Sequence, residues 1–144
     1  MTDAEFLRAL EGCALKESDF GHRAHVRAAY LYLQAGGFAV ALARLRRAIR
    51  NYARHLGKAH RYHETITVAY LALIQQHVCE RGDGGCWENF ALENAELLQP
   101  GLLLQYYPQA QLDSELARRV FLLPHSPLAN QAAALRFHAE GGAP

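Results

Sequence analysis

Apolar residues along this chain recur at intervals of three and four positions, which is the period of an α-helix. No segment alternates apolar and polar residues in the way that a half-buried β-strand does. The pattern therefore predicts an all-α fold without a sheet. We expect a compact, single-domain helical bundle of about five main helices, followed by shorter C-terminal helices.

Capping signals and glycines predict where the helices begin and end. Thr2 and Glu5 form a capping box for the first helix, which should stop near Gly12. Ser18 or Asp19 is the expected N-cap of the second helix. The second and later helices are expected at about 21–35, 38–56, 60–81 and 87–98, with short pieces at 102–107 and 112–123. Residues 130–144 are expected to form either a docked helix or a frayed tail.

The composition fits one domain that can build its own core. The chain has 144 residues, of which 51% are hydrophobic. A chain of this size buries roughly 68–70% of the surface that its unfolded form exposes. Lys and Arg number 15 against 14 Asp and Glu, which gives a formal charge of +1. So small a net charge argues against nucleic-acid and membrane partners, and it leaves a small-molecule substrate or a homo-oligomer open.

The N-terminus and the cysteines favour a cytoplasmic protein. The opening residues are acidic and amphipathic, unlike a signal peptide, and no apolar run approaches the roughly 20 residues of a membrane span. Cys13, Cys79 and Cys86 are sparse and odd in number, which is typical of reduced thiols. A zinc clip of His77, Cys79 and Cys86 is the less favoured interpretation, because it lacks a fourth ligand at a familiar spacing.

Five of the eight histidines are predicted to meet at one end of the bundle. Short connections make successive helices antiparallel, so the second helix begins at the end where the third finishes and the fourth starts. The histidines that this topology brings together are His22, His25, His55, His60 and His63.

Three of these histidines are predicted to bind one transition-metal ion. His22 and His25 are three residues apart and share a helix face. His63 shares its helix face with residues that are expected to face the core. Neutral imidazole is a strong ligand for zinc, copper or iron, and the positive end of a helix dipole discourages its protonation. Glu64 and Tyr107 are the predicted catalytic residues, which would handle protons near the metal.

Basic residues follow a spacing of three and four along and beyond the third helix. They are Arg47, Arg50, Arg54, Lys58 and Arg61. Such a stripe is more often the solvated face of an amphipathic helix. Because it runs towards the histidine end, it could instead hold the carboxylate or phosphate of a small substrate.

The segments FGHRAHVRAAYLYL, RHLGKAHRYHETITVAYLALI and LLLQYYPQAQLDSELARRVFLLP together resemble a family of small, uncharacterised bacterial all-helical proteins. The family pattern is similar to F-x-H-x-x-H, a later Y-H-E-T and a downstream run of tyrosines. The resemblance covers roughly residues 20–125 and carries no activity. It implies one functional constellation made of Phe20, His22, His25, Tyr62, His63, Glu64, Thr65, Tyr106 and Tyr107.

Two functions follow from these patterns as expectations. The first is a small cytoplasmic metalloprotein, a metal-dependent enzyme that acts on a small molecule through the three-histidine site. The second is a non-catalytic helical module that binds a protein partner, with the histidines in structural roles, because a His-x-x-His spacing is a weak signal by itself. Should His22, His25 and His63 not be ligands, His55, His60 and His125 are the next candidates.

Overall fold

The computed structural model describes residues 1–124, and these residues form helices and turns without a strand. The all-α prediction is confirmed for this part of the chain. The helices are α1 (Asp3–Glu11), α2 (His22–Ala35), α3 (Phe38–His55), α4 (Glu64–Arg81), α5 (Trp87–Glu93), α6 (Gln109–Leu112) and α7 (Glu115–Arg119). Short 3₁₀ turns occupy Glu17–Asp19, Ala59–Arg61, Ala95–Leu98 and Leu102–Gln105. The helix or tail expected at 130–144, and with it His125, lies outside the described residues.

The capping box at the start of α1 is confirmed. The hydroxyl of Thr2 accepts a hydrogen bond from the backbone N–H of Glu5 at 3.2 Å, and the Glu5 carboxylate accepts one from the N–H of Thr2 at 2.7 Å. The predicted N-cap of α2 is wrong, because Ser18 and Asp19 lie within the 3₁₀ turn that precedes the helix. Gly21 is the N-cap instead, since its extended backbone turns the chain into α2.

The predicted helix at 87–98 is broken at Asn94. The side-chain amide of this fully buried residue donates a hydrogen bond to the carbonyl of Phe90 at 2.9 Å, which ends α5 at Glu93. The predicted piece at 112–123 is likewise interrupted, because the hydroxyl of Ser114 accepts from the N–H of Ala117 and starts α7. In both cases a side chain that competes for backbone hydrogen bonds divides an apolar pattern that reads as continuous.

The core consists of two clusters of buried residues. Helices α2, α3 and α4 pack against one another, and α1 packs on α3. The larger cluster lies among them and includes Tyr32, Tyr52 and Phe90. The smaller cluster joins α4 to the chain that follows, through residues such as Tyr70 and Tyr107. Within residues 1–124 no helix combines the length and the apolar character needed to cross a membrane.

Candidate functional site

A cavity of about 280 Å³ lies between α2, α3 and α4, where the two core clusters meet. Most of its wall is apolar and is formed by Val26, Ala29, Leu45, Ile49 and Ile66. Largely apolar concave sites with a few polar groups are typical of small-molecule binding. We call this space the histidine cavity, because two of the predicted site residues, His22 and His25, also line it.

The ring of His22 is fixed by contacts with two other elements. Its Nε2 atom lies 2.9 Å from the carbonyl oxygen of Leu97, and its ring meets the ring of Tyr70 edge-on with centroids 4.8 Å apart. Because a carbonyl can only accept, Nε2 must carry a proton, and in the neutral form of the ring Nδ1 is an acceptor. No described residue donates to that Nδ1 atom.

The ring of His25 is held in the opposite tautomer. Its Nδ1 atom donates to the carbonyl oxygen of Gly21 at 2.8 Å, and the ring lies against Phe20 with centroids 4.1 Å apart. Burial lowers the pKa of His25 below its ordinary value, and the neighbouring His22 also lowers it, whereas the hydrogen bond to Gly21 acts in the other direction. The ring is therefore neutral near pH 7, with Nε2 as a free acceptor.

His22 and His25 each have one unpaired ring nitrogen that is not fully buried. Among residues 1–124, every fully buried side-chain nitrogen or oxygen has a hydrogen-bond partner. The Nδ1 atom of His22 and the Nε2 atom of His25 have none in that part of the chain, so neither atom is sealed in the core. Two histidines that line the cavity thus each have one ring nitrogen that no described residue uses.

His63 is placed differently from the other two predicted ligands. It is the N-cap of α4, where its Nδ1 atom accepts from the backbone N–H of Ile66 at 3.1 Å. Its Nε2 atom donates to the carbonyl oxygen of Leu112 at 2.7 Å. Both ring nitrogens therefore take part in the fold, and His63 does not line the histidine cavity. The structure brings His22 and His25 together but leaves His63 out.

The metal interpretation finds no support in this arrangement. Among the described residues, no group of three or more His, Cys, Asp or Glu side chains is placed to hold one ion. The zinc clip of His77, Cys79 and Cys86 is not formed among the described residues either, and His77 Nδ1 bonds to the Asn94 side chain at 2.8 Å. Cys79 and Cys86 are exposed free thiols.

Glu64, one of the two predicted catalytic residues, is occupied by charge pairing. Its carboxylate accepts from Arg46 Nε at 2.9 and 3.1 Å and from the hydroxyl of Tyr62 at 3.0 Å. Arg50 lies 3.8 Å from the same carboxylate. The Glu64 hydrogen bond raises the pKa of the Arg46 guanidinium, which keeps that group charged. Glu64 therefore ties the start of α4 to α3.

Tyr107, the other predicted catalytic residue, is buried in the smaller core cluster. Its hydroxyl donates to the carbonyl oxygen of Leu122 at 2.8 Å, and burial raises its pKa. It does not line the histidine cavity. Tyr106 is the exposed member of the pair. The buried tyrosine of the pair is therefore the one that the sequence suggests for proton transfer.

Other members of the F-x-H-x-x-H and Y-H-E-T segments meet beside the histidine cavity. Phe20, His25 and Tyr62 line a neighbouring cavity of about 260 Å³, and His25 lines both spaces. Thr65 lies elsewhere, since its hydroxyl donates to the carbonyl of Val120 at 2.8 Å and accepts from Leu122 N–H. The implied constellation is therefore not one site. Its members line cavities (Phe20, His22, His25, Tyr62), hold the chain after α7 (Thr65, Tyr107), make other contacts within the fold (His63, Glu64) or are exposed (Tyr106).

Sequence reasoning missed the polar residues that α4 contributes to the histidine cavity, Thr67 and Tyr70. The hydroxyl of Tyr70 donates to the carbonyl of Gln99 at 3.0 Å, and that of Thr67 donates to the carbonyl of His63 at 2.8 Å. Both residues share a helix face with His63 in the sequence, and that shared face was the available signal.

Comparison of this chain with known proteins identifies no relative. The chain matches no model of a known protein family, and neither a curated protein nor a solved structure is detectably similar to it. The function must therefore be argued from the geometry alone.

Proposed function

We propose that this protein binds a small, largely apolar molecule in the histidine cavity, with His22 and His25 accepting hydrogen bonds from it. The observation that carries the proposal is the pair of ring nitrogens, one on each histidine, that no residue within 1–124 satisfies. A ligand with an N–H or O–H group would satisfy them, while its apolar part would contact Ala29 and Ile49.

The two imidazoles are prepared for this role by the fold. Each ring donates its N–H to a backbone carbonyl, so each tautomer and each ring direction is set before a ligand arrives. The lowered pKa of His25 keeps its Nε2 atom unprotonated at neutral pH. A neutral, oriented imidazole of this kind can also act as a general base towards a bound O–H group.

The metal-dependent enzyme predicted from the sequence is not the function that this geometry favours. Such a site would need His63 as the third ligand, and both nitrogens of that ring are engaged in hydrogen bonds. For His63 the structural interpretation is the better one. A cytoplasmic location, a protein partner and a homo-oligomer remain predictions from the sequence.

Fluorescence titration with N-phenyl-1-naphthylamine tests the proposal. This probe is a neutral aromatic amine with one N–H donor, and its emission rises in apolar surroundings. We expect saturable binding of one probe per chain. The substitution Ala29→Leu should abolish binding, because Ala29 is buried on the cavity wall and a larger side chain would fill the space.

Variants that keep the backbone contacts separate ligand binding from folding. His25→Asn retains a donor near the position of Nδ1 and His22→Gln retains one near Nε2, but both remove the free acceptor. Each should weaken probe binding by about three- to tenfold, the value of one hydrogen bond. His55→Asn, at an exposed position outside the cavity, is the matched control. Unchanged binding in a folded Ala29→Leu variant would contradict the proposal, and so would the absence of saturable binding to the parent protein.

A further inference from the structure

A second cleft, of about 510 Å³, lies between α3, the Ala59–Arg61 turn and α7. Four arginines line it, namely Arg50 and Arg54 from α3 and Arg118 and Arg119 from α7. We call it the arginine cleft. The basic stripe read from the sequence contains the first pair, but the packing of α7 against α4 is what brings the second pair to the same place.

The positive charge of this cleft is not balanced by nearby carboxylates. Glu115 is the single acidic residue among those that line it. Glu64 is the other carboxylate close to Arg50, at 3.8 Å, and it already accepts hydrogen bonds from Arg46 and Tyr62. Four guanidinium groups gathered around one carboxylate repel one another unless an anion joins them.

Two of the four arginines are held in place by neutral groups. The guanidinium of Arg50 lies over the ring of Tyr62, 4.5 Å from its centroid. The guanidinium of Arg118 donates to the backbone carbonyl of His60 at 3.4 Å. Neither contact neutralises a charge, so Arg118 keeps its full charge for a ligand, whereas the charge of Arg50 is partly balanced by Glu64.

The other two arginines are unpaired in the described part of the chain. Arg54 and Arg119 are exposed, and no residue within 1–124 forms a hydrogen bond or an ion pair with either guanidinium. One lies on α3 and the other on α7, so the cleft presents free forked donors from both of its walls. Forked donors of this type fit the oxygens of phosphate groups in pairs.

We propose that the arginine cleft binds a phosphate group, carried by a small molecule. A phosphate monoester has a charge of about −1.5 to −2 near pH 7 and three acceptor oxygens, which suits several guanidinium groups better than a single carboxylate does. A long polyanion fits less well, because the whole chain has a formal charge of +1 and the positive groups are confined to one concave site. This site is separate from the histidine cavity, so it does not depend on the function proposed above.

Calorimetric titration of the full chain at low ionic strength tests the proposal, with phenyl phosphate, inorganic phosphate and benzoate as probes. We expect saturable binding of phenyl phosphate with one molecule per chain. Arg54→Gln and Arg119→Gln should each weaken it at least about tenfold, as expected when one charged donor pair is lost. Glu115→Gln should tighten it, because that substitution removes the only carboxylate among the lining residues. A gain in affinity cannot arise from misfolding.

Arg47→Gln is the matched control, since Arg47 is an exposed arginine of α3 that does not line the cleft. It should change the affinity by less than about twofold. Equal affinity for inorganic phosphate would support the proposal with free phosphate as the ligand, and tighter binding of phenyl phosphate would support it with a phosphorylated organic molecule.

Failure of both phosphates to bind would overturn the proposal. Unchanged affinity in Arg54→Gln and Arg119→Gln, or equally tight binding of benzoate, would also overturn it. A DNA oligonucleotide that binds more tightly, with Arg47→Gln as damaging as Arg54→Gln, would overturn it as well.

Discussion

The side chain of His63 joins the start of α4 to Leu112, which lies 49 residues further along the chain. Its Nε2 atom donates to the Leu112 carbonyl oxygen at 2.7 Å, and its Nδ1 atom accepts from the N–H of Ile66. The same ring therefore caps one helix and fixes the end of another. Both nitrogens of this histidine therefore contribute hydrogen bonds to the fold.

Substitution of His63 should consequently lower stability. His63→Ala removes the N-cap, worth about 1 kcal/mol, and leaves the buried Leu112 carbonyl without its donor, which costs about 1–3 kcal/mol. His63→Asn restores the cap and should recover roughly the first part of the loss. Urea unfolding of the three proteins measures the difference. A His63→Ala variant that keeps its stability but loses stoichiometric metal from an untagged parent would restore the metal-ligand interpretation.

The partly buried position of His25 makes stability depend on pH. Its pKa in the folded protein lies below the ordinary value of 6.5, so the unfolded chain binds more protons between those two values. The contribution of His25 is therefore complete above about pH 6.5 and is lost as the pH falls towards the folded-state pKa. Proton NMR should give a midpoint for the His25 ring below 6.5. In His25→Asn the fall in unfolding free energy between about pH 7 and pH 5 should be smaller than in the parent, and a midpoint at or above the ordinary value would contradict this explanation.

Tyr107 should matter for stability and not for ligand binding. Tyr107→Phe removes the hydrogen bond to the Leu122 carbonyl and keeps the ring in the smaller core cluster, so we expect a loss of about 0.5–1.5 kcal/mol. The affinity for N-phenyl-1-naphthylamine should not change, because Tyr107 does not line the histidine cavity. Thermal unfolding and the probe titration, made on the same preparations, check both statements. A variant of parental stability that no longer binds the probe would assign Tyr107 to the site instead.

Arg46 and Glu64 should be energetically coupled. The Glu64 side chain is only 10% exposed, and both of its carboxylate oxygens accept from Arg46 Nε. Because Arg46 is 34% exposed, solvent weakens the attraction between the two charges. A double-mutant cycle with Arg46→Gln and Glu64→Gln should give a coupling energy of about 0.5–3 kcal/mol. The same cycle between Arg47 and Glu64 should give nearly none, since no ion pair joins them in the described residues. Equal coupling in the two cycles would mean that the effect is a general field and not a contact.

The helical class and most of the helix ends can be predicted from the sequence, because they depend on local properties. The apolar period of three and four residues specifies a helix whatever packs on it, and the capping box of Thr2 and Glu5 closes within one turn. The breaks at Asn94 and Ser114 were not evident from the pattern. Each break depends on a hydrogen bond between a side chain and the backbone, and the spacing of apolar residues does not indicate whether such a bond forms.

Which chemically active residues meet depends on how the helices pack. The sequence placed His22, His25 and His63 at one end of the bundle, but the direction of each ring depends on carbonyl groups far along the chain, Leu97 for His22 and Leu112 for His63. Those contacts leave one nitrogen free on His22 and none on His63. Likewise, Arg50 and Arg54 belong to the basic stripe in the sequence. Arg118 and Arg119 lie beside them only because α7 packs against α4. A hydrogen-bond partner 49 or 75 residues away leaves no periodic trace in the sequence, and so the composition of both candidate sites is a property of the packed fold.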